Sequence, residues 1–198
     1  MTPNSSSRLI LWSIFTLIIL LGTVALSYGN QSKYSQRKPY TYRGSDYPQT
    51  WEIPPLDTVK LSMENSVHYD IDTPLGIAEW NSTLPKSGGM LYLGPDRRPF
   101  SISMFHQLRC LDIIRAEVVQ QAKLKESGQK NRSASILAVH CMNYMRQMVM
   151  CRANTRLESV RRSAGPHVTV PYVTHTCRDW SSVYEAAEKN WEEYLTTM

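Results

Sequence analysis

The chain of 198 residues lacks most of the marks by which catalytic domains are recognised. It has no glycine-rich phosphate cradle, no Gly-x-Ser-x-Gly elbow, no paired Cys-x-x-Cys knuckles and no helical His-Glu-x-x-His. Those absences argue against nucleotide hydrolysis, serine-hydrolase chemistry, a zinc-ribbon structure and a zincin protease. Nothing repeats with a period of roughly 20 to 50 residues and no tract is of low complexity, which argues against a solenoid or repeat array. Charge of one sign is scarce. Lys and Arg total 22 against 17 for Asp and Glu, and the resulting +5 is dispersed along the chain. That is too weak a field to argue for a nucleic-acid partner.

What is present suffices for one globular domain. A content of 42% apolar and 20% charged residues can bury a core, and the length allows one domain with an additional segment. From Leu9 to Tyr28 no residue is charged, and at about 1.5 Å per residue such a helix would span roughly 30 Å, the thickness of a bilayer's hydrocarbon core. The stretch is expected to be a transmembrane signal-anchor after a short tail over 1–8. The competing expectation is a cleaved signal peptide, with Ala25-Leu26-Ser27 as the processing site. Lys33, Arg37, Lys38 and Arg43 outnumber Arg8 across the segment, which favours a cytosolic carboxyl side. The acceptor patterns at Asn30, Asn81 and Asn131, together with four cysteines, favour an oxidising lumen in which N-glycosylation occurs. The weight of these features places the body, 56–198, in the lumen of the secretory pathway, after a polar stalk over 29–55 that contains Pro39, Pro48, Pro54 and Pro55.

The expected fold class is mainly α with short β-strands, an α+β domain. Leu61 to Asp72, Gly76 to Trp80 and Met90 to Leu93 read as short strands and turns. The helical period begins near Ser101 with Leu108, Leu111 and Ile114 and lasts to about Lys125. After a polar break over 126–132, Ser133 is positioned to cap a second helix, which carries Leu137, Cys141, Tyr144, Met145 and Met148 and ends soon after Cys151. Gly165 to Cys177, with two prolines, reads as an extended excursion. Ser182 and Glu185 stand at capping-box spacing before a third helix with an apolar stripe from Trp180 to Tyr194.

Chemistry-bearing residues gather on the first two helices. His106, Arg109 and Cys110 stand at i, i+3 and i+4, hence on one helical face, and Leu137, His140 and Cys141 repeat the spacing. If the faces meet, His106 and His140 converge and can share a metal, with Asp112 as an oxygen donor and His68, His167 and His175 as the remaining imidazoles. The ordinary alternatives are a hydrogen-bonded helix histidine, disulfide partners among Cys110, Cys141, Cys151 and Cys177, and methionines at 142, 145, 148 and 150 that fill a core.

Phe105-His106-Gln107-Leu108 with Cys110 to Arg115, His140 to Gln147 through Met150-Cys151, and His175 to Asp179 before a Trp-containing helix resemble the ustYa-like family of fungal natural-product biosynthesis proteins. That family carries two His-x-x-His-Cys motifs. The resemblance implies tailoring of peptide-derived mycotoxins by oxidative cyclisation, hydroxylation or halogenation, with motif histidines as the active site and copper as the implied metal. It also implies a peptide-derived small-molecule substrate and a homo- or hetero-oligomer with another ustYa-like protein. Two positions depart from the motif: Arg109 replaces the second His of the first copy, and Leu137 the first His of the second. The remaining imidazoles, His106 and His140, with Arg109, Cys110 and Cys141 beside them, form the expected catalytic set. Arg109 disfavours a bound cation and suits an anion or oxyanion. Three readings follow: an oxidative tailoring enzyme, a metal-free enzyme with a histidine base and Arg109 as charge stabiliser, or a non-catalytic subunit of a complete homologue.

Overall fold

The computed structural model describes residues 5–34, 39–129, 132–160, 165, 169 and 172–198. In chain order the elements are α1 (Ser5–Tyr34), β1 (Thr58–Met63), α2 (Pro74–Ser82), β2 (Met90–Leu93), β3 (Arg98–Ser101), α3 (Ser103–Glu126), α4 (Ile136–Arg152), β4 (Val173–Arg178) and α5 (Ser181–Leu195). They divide into two units, Met1–Thr41 and Tyr42–Met198. Helices and short strands are mixed in the second, the α+β character that the sequence indicates.

The first unit corrects one expectation. Among the described residues no helix is long and apolar enough to cross a membrane. The apolar run is part of α1, where Ser13, Thr16, Gly22 and Thr23 interrupt it, and the Thr16 and Thr23 hydroxyls donate to the carbonyls of Ser13 and Leu20. The expected single transmembrane helix over 9–28 is therefore replaced by an amino-terminal helix that runs on to Tyr34.

In the second unit, two antiparallel pairs frame the helices. β2 and β3 form a hairpin in which Leu91 faces Phe100, and β1 pairs with β4 so that Val59 faces Cys177 and Leu61 faces His175. The hairpin turn needs Gly94, whose φ is +74° and where a Cβ would strike the Tyr42 ring. The buried core is Leu91, Phe105, Val183 and Ala187, so it lies where β2, the start of α3 and α5 meet. Trp51, Ile53 and Leu56 pack against it, and Tyr47 meets Phe100 edge-on at 5.1 Å.

α5 is tied to the sheet by Asn190. Its Oδ1 accepts from the Tyr92 N–H at 2.8 Å, and its Nδ2 donates to the Tyr92 carbonyl at 3.0 Å, which satisfies both groups of β2. The Tyr92 and Tyr194 rings stack at 3.7 Å. The apolar stripe of α5 is thus a packing face. Its N-cap is Trp180, and the carboxylate of Asp179 just before it accepts from the Ser181 N–H and from the hydroxyls of Ser181 and Ser182, so Ser182 is already within the helix.

Other boundaries shift for local reasons. Gly76 to Trp80, expected as strand or turn, is helical, because Pro74 occupies the first turn and the Thr73 hydroxyl accepts from the Gly76 N–H. Ser135 rather than Ser133 caps α4, accepting from the Ala138 N–H at 3.2 Å. The expected strand near Val67 and Tyr69 ends at Met63, and Val67 is exposed.

Candidate functional site: two histidines and a tyrosine between α3 and α4

α3 and α4 pack against each other, and their contact carries the chemistry that the sequence singles out. Helical spacing puts His106 and Cys110 on the same side of α3, and Cys141 and Tyr144 on one side of α4 with His140 beside them. The His106 and His140 rings lie 6.0 Å apart, centroid to centroid, inclined by 20°. Tyr144 completes the group. Its ring stacks on His106 at 4.0 Å and lies 6.4 Å from His140, only 4° from parallel. His106 and Tyr144 are half-buried, whereas His140 is exposed, so the cluster opens to solvent on the α4 side.

Below the rings sit the two sulfurs. Cys110 and Cys141 are each 1% exposed. Burial, a hydrogen bond with the Cys141 thiol and the charge of that neighbour push the Cys110 thiol up to about 12, so at neutral pH it is protonated and a poor nucleophile. All four cysteines are free thiols here, with Cys151 exposed at the end of α4 and Cys177 half-buried on β4.

The other candidates have separate places. Arg109 is exposed, and its guanidinium reaches the turn at Gly88, 3.5 Å from where a Cβ there would stand. Asp112 is engaged with Arg115 at 2.8 Å, and Arg115 also donates to the Ile71 carbonyl, which removes Asp112 from the expected role of oxygen donor. His68 pairs with Glu79 at 2.6 Å, and His175 lies in the β1–β4 ladder opposite Leu61. His167 and Asn131 lie outside the described residues, and of Asn30 only its helical backbone in α1 is described. Asn81 is exposed near the end of α2. Leu137, Met142 and Met150 are 55%, 59% and 66% exposed, whereas Met145 and Met148 are half-buried, so only the latter two of the methionine group pack inward. A cleft of about 580 Å³ lined by Ile77, Arg115, Val119 and Lys123 lies further along α3 and does not include either histidine of the pair.

Among the described residues, no three His, Cys, Asp or Glu side chains gather in a metal-binding group. Two imidazoles are a donor pair suited to copper, and with no third ligand among the described residues they would leave coordination positions open. The donor set therefore fits an incomplete copper site and does not fit a closed four-ligand one. Tyr144 is the residue that the sequence reading left among packing positions. Its spacing of four from His140 is the signal that places it on the shared face.

Two motif-bearing helices of an α+β domain thus bring two imidazoles together at one helix–helix contact. Residues 63–193 match the family model for the mycotoxin biosynthesis protein UstYa, and the chain belongs to the UstYa family. It is 32% identical over 111 residues to "Oxidase ustYa" of Aspergillus flavus, covering 56% of this chain and 50% of that protein. It is also 29% identical over 90 residues to "UstYa family oxidase phomYb" of Diaporthe leptostromiformis, covering 45% of this chain and 34% of that one. A further relative from the same organism, "UstYa family oxidase phomYe", is 27% identical over 101 residues, or 48% of this chain and 35% of the relative. The chain thus matches between a third and a half of the length of these relatives. No solved structure matches it.

Proposed function

We propose that this chain is an oxidative tailoring enzyme of mycotoxin biosynthesis, acting on a peptide-derived small molecule, with the His106–His140 pair as its reactive centre. The observation that carries the reading is the convergence of the two histidines, 34 positions apart in sequence, at 6.0 Å across the α3–α4 contact. The names of the relatives, each an oxidase, support the reaction class.

His106 and His140 would hold a copper ion, which would supply one-electron oxidation when bound. The chain's own groups do the rest. Tyr144 stacks on His106 and limits its rotation, so the imidazole edge is held in one orientation. His140, exposed, is the side from which substrate approaches and can take or return a proton at a ring nitrogen. Arg109 offers a cation beside the Gly88 turn, suited to a carboxylate of the substrate. Residence of the body in an oxidising lumen belongs to the same proposal, and exposed Asn81 in an acceptor pattern supports it. Exposed Val139, Met142, Val149 and Met150, which share one side of α4, offer an apolar strip to a ustYa-like partner chain.

The deciding experiment is elemental analysis of the full chain beside its His106→Ala, His140→Ala double variant. Copper near one equivalent in the parent and absent from the folded variant supports the proposal. Exposed Arg109, one helical turn from His106 and a charge that disfavours a bound cation, favours one second reading, a metal-free acid–base enzyme that uses the same histidines with Arg109. Product formation in a pathway host that survives a strong copper chelator, yet is lost in the double variant, would establish it in place of the first. Unchanged product formation in the double variant would leave a non-catalytic partner subunit.

A further inference from the structure

We propose that Cys110 and Cys141 close a disulfide that fastens α4 to α3 beneath the histidine pair. α4 has little else to hold it. Its buried residues are Ala138 and Cys141 alone, and it contributes none of the four residues of the buried core. α3, by contrast, is anchored through Phe105, one turn before Cys110. A cross-link at this point therefore joins the weakly held helix to the firmly held one, and it does so one turn from His106 and one residue from His140.

The geometry selects this pairing from the alternatives. Both sulfurs are buried at the same contact and are hydrogen-bonding neighbours. Cys151 lies ten residues beyond Cys141 on the same helix, about 15 Å along its axis, and a disulfide needs Cα atoms within about 7 Å. Cys177 is fixed in the β1–β4 ladder opposite Val59. The chemistry is a thiol–disulfide exchange. Each of the two thiols gives up one proton and one electron as the S–S bond forms, and a disulfide oxidant, oxidised glutathione or a protein disulfide, is reduced to two thiols. Exchange precedes the final docking of α4, since the docked sulfurs are closed to reagents, and the bond is then shielded from reductant by the same burial. With the sulfurs bound to each other, neither is available as a thiolate ligand or nucleophile. The imidazoles of His106 and His140 are then the reactive groups of the two motifs.

Tryptic cleavage separates the cysteines conveniently. Cys110 falls in peptide 110–115, Cys141 in 133–146 and Cys151 in 147–152, each bounded by arginines. Full-length protein from an oxidising secretory host, quenched in acid, alkylated and digested without reduction, should yield peptides 110–115 and 133–146 joined, two hydrogens lighter than their sum. Alkylated thiols at both positions, or linkage of either to Cys151 or Cys177, would overturn the assignment. Full-length protein reduced while unfolded and refolded with oxidised glutathione should regain the same link, and stable glutathione adducts at Cys110 would count against it. Reduction should lower the unfolding midpoint of the parent by roughly 5 to 15 °C, the range expected for a loop of this size. Cys151→Ala should keep that shift and the Cys110→Ala, Cys141→Ala variant should lose it. A parent with no shift on reduction refutes the fastening role.

Discussion

The Tyr144 ring lies 4.0 Å above the imidazole of His106 and within 22° of parallel, so a residue of α4 fixes the attitude of a residue of α3. Because the contact uses the ring face, it requires an aromatic at 144 and makes no demand on the phenol oxygen. Tyr144→Phe should keep product formation in a pathway host within a few-fold of the parent. Tyr144→Ala frees the imidazole and should reduce it roughly 10- to 100-fold, as loss of an orienting neighbour does. If Tyr144→Phe fell as far as Tyr144→Ala, with both variants folded, the hydroxyl and not the stack would be the working part.

Asn190 supplies a stability test remote from the histidines. Removing its amide leaves the Tyr92 N–H and carbonyl without their partners in a half-buried position. Asn190→Ala should cost about 2 kcal/mol, or roughly 4 to 8 °C in the melting midpoint of a domain this size. Asn190→Asp keeps an acceptor for the N–H but sets a buried, unpaired carboxylate against the Tyr92 carbonyl, so at neutral pH its melting midpoint should fall at least as far as that of Asn190→Ala.

The Arg115–Asp112 pair fastens α3 to the loop before α2, through the Arg115 donation to the Ile71 carbonyl at 2.7 Å. The side chains are only 9% and 17% exposed. Arg115→Ala leaves a largely buried carboxylate without its cation and should destabilise the domain by about 3 kcal/mol in denaturant unfolding. Replacing both, Arg115→Met with Asp112→Leu, should recover much of that loss, because the surviving charge is then gone.

Acid should unfold the domain through specific carboxylates. Hydrogen bonds from Ser181 and Ser182 hold Asp179 below its ordinary value, the Tyr69 N–H and His68 do so for Glu79, and the N–H groups of Asp72 and Thr73 do so for Asp70. A carboxylate whose folded value lies below its unfolded one stabilises the fold above the unfolded value, near 4, and that stability is lost as pH falls through the folded value. The urea midpoint should therefore stay level from pH 7 to about 5 and then decline below 4. Asp179→Asn should flatten part of the decline, and an unchanged profile in that variant would remove Asp179 from the account.

The legible portion of this fold was the part written in local periodicity. The 3.6-residue spacing of Leu108, Leu111 and Ile114 marked α3 to within two residues at its start, and Met90–Leu93 was visible between its glycines. α2 was missed because nine residues give too few turns for a period to show, although Thr73-Pro74 carried the cap. The α5 cap was placed two residues late, at Ser182 instead of Trp180, because Ser182 and Glu185 mimic a capping box while Asp179 does the bonding. In α1 an uncharged run suggested a membrane span, but Ser13, Thr16, Gly22 and Thr23 dilute it, and among the described residues no helix is long and apolar enough to cross a membrane. Of the site, the shared face of His106 and Cys110 followed from spacing, but the partner of each ring did not. Tyr144 over His106 and Arg109 beside Gly88 depend on how elements dock, which no local period encodes.

Thr58 meets Arg178 and Met63 meets Val173 in the β1–β4 ladder, so strands more than a hundred residues apart must find each other. The α3–α4 contact joins neighbours in sequence and forms at small loop-closure cost, whereas the ladder pays the entropy of a closed ring that contains nearly the whole second unit. On loop-closure cost alone, the histidine pair is expected to form as an early, local event and the ladder as the final one. The two strands act as a clasp, and its closure marks a finished domain.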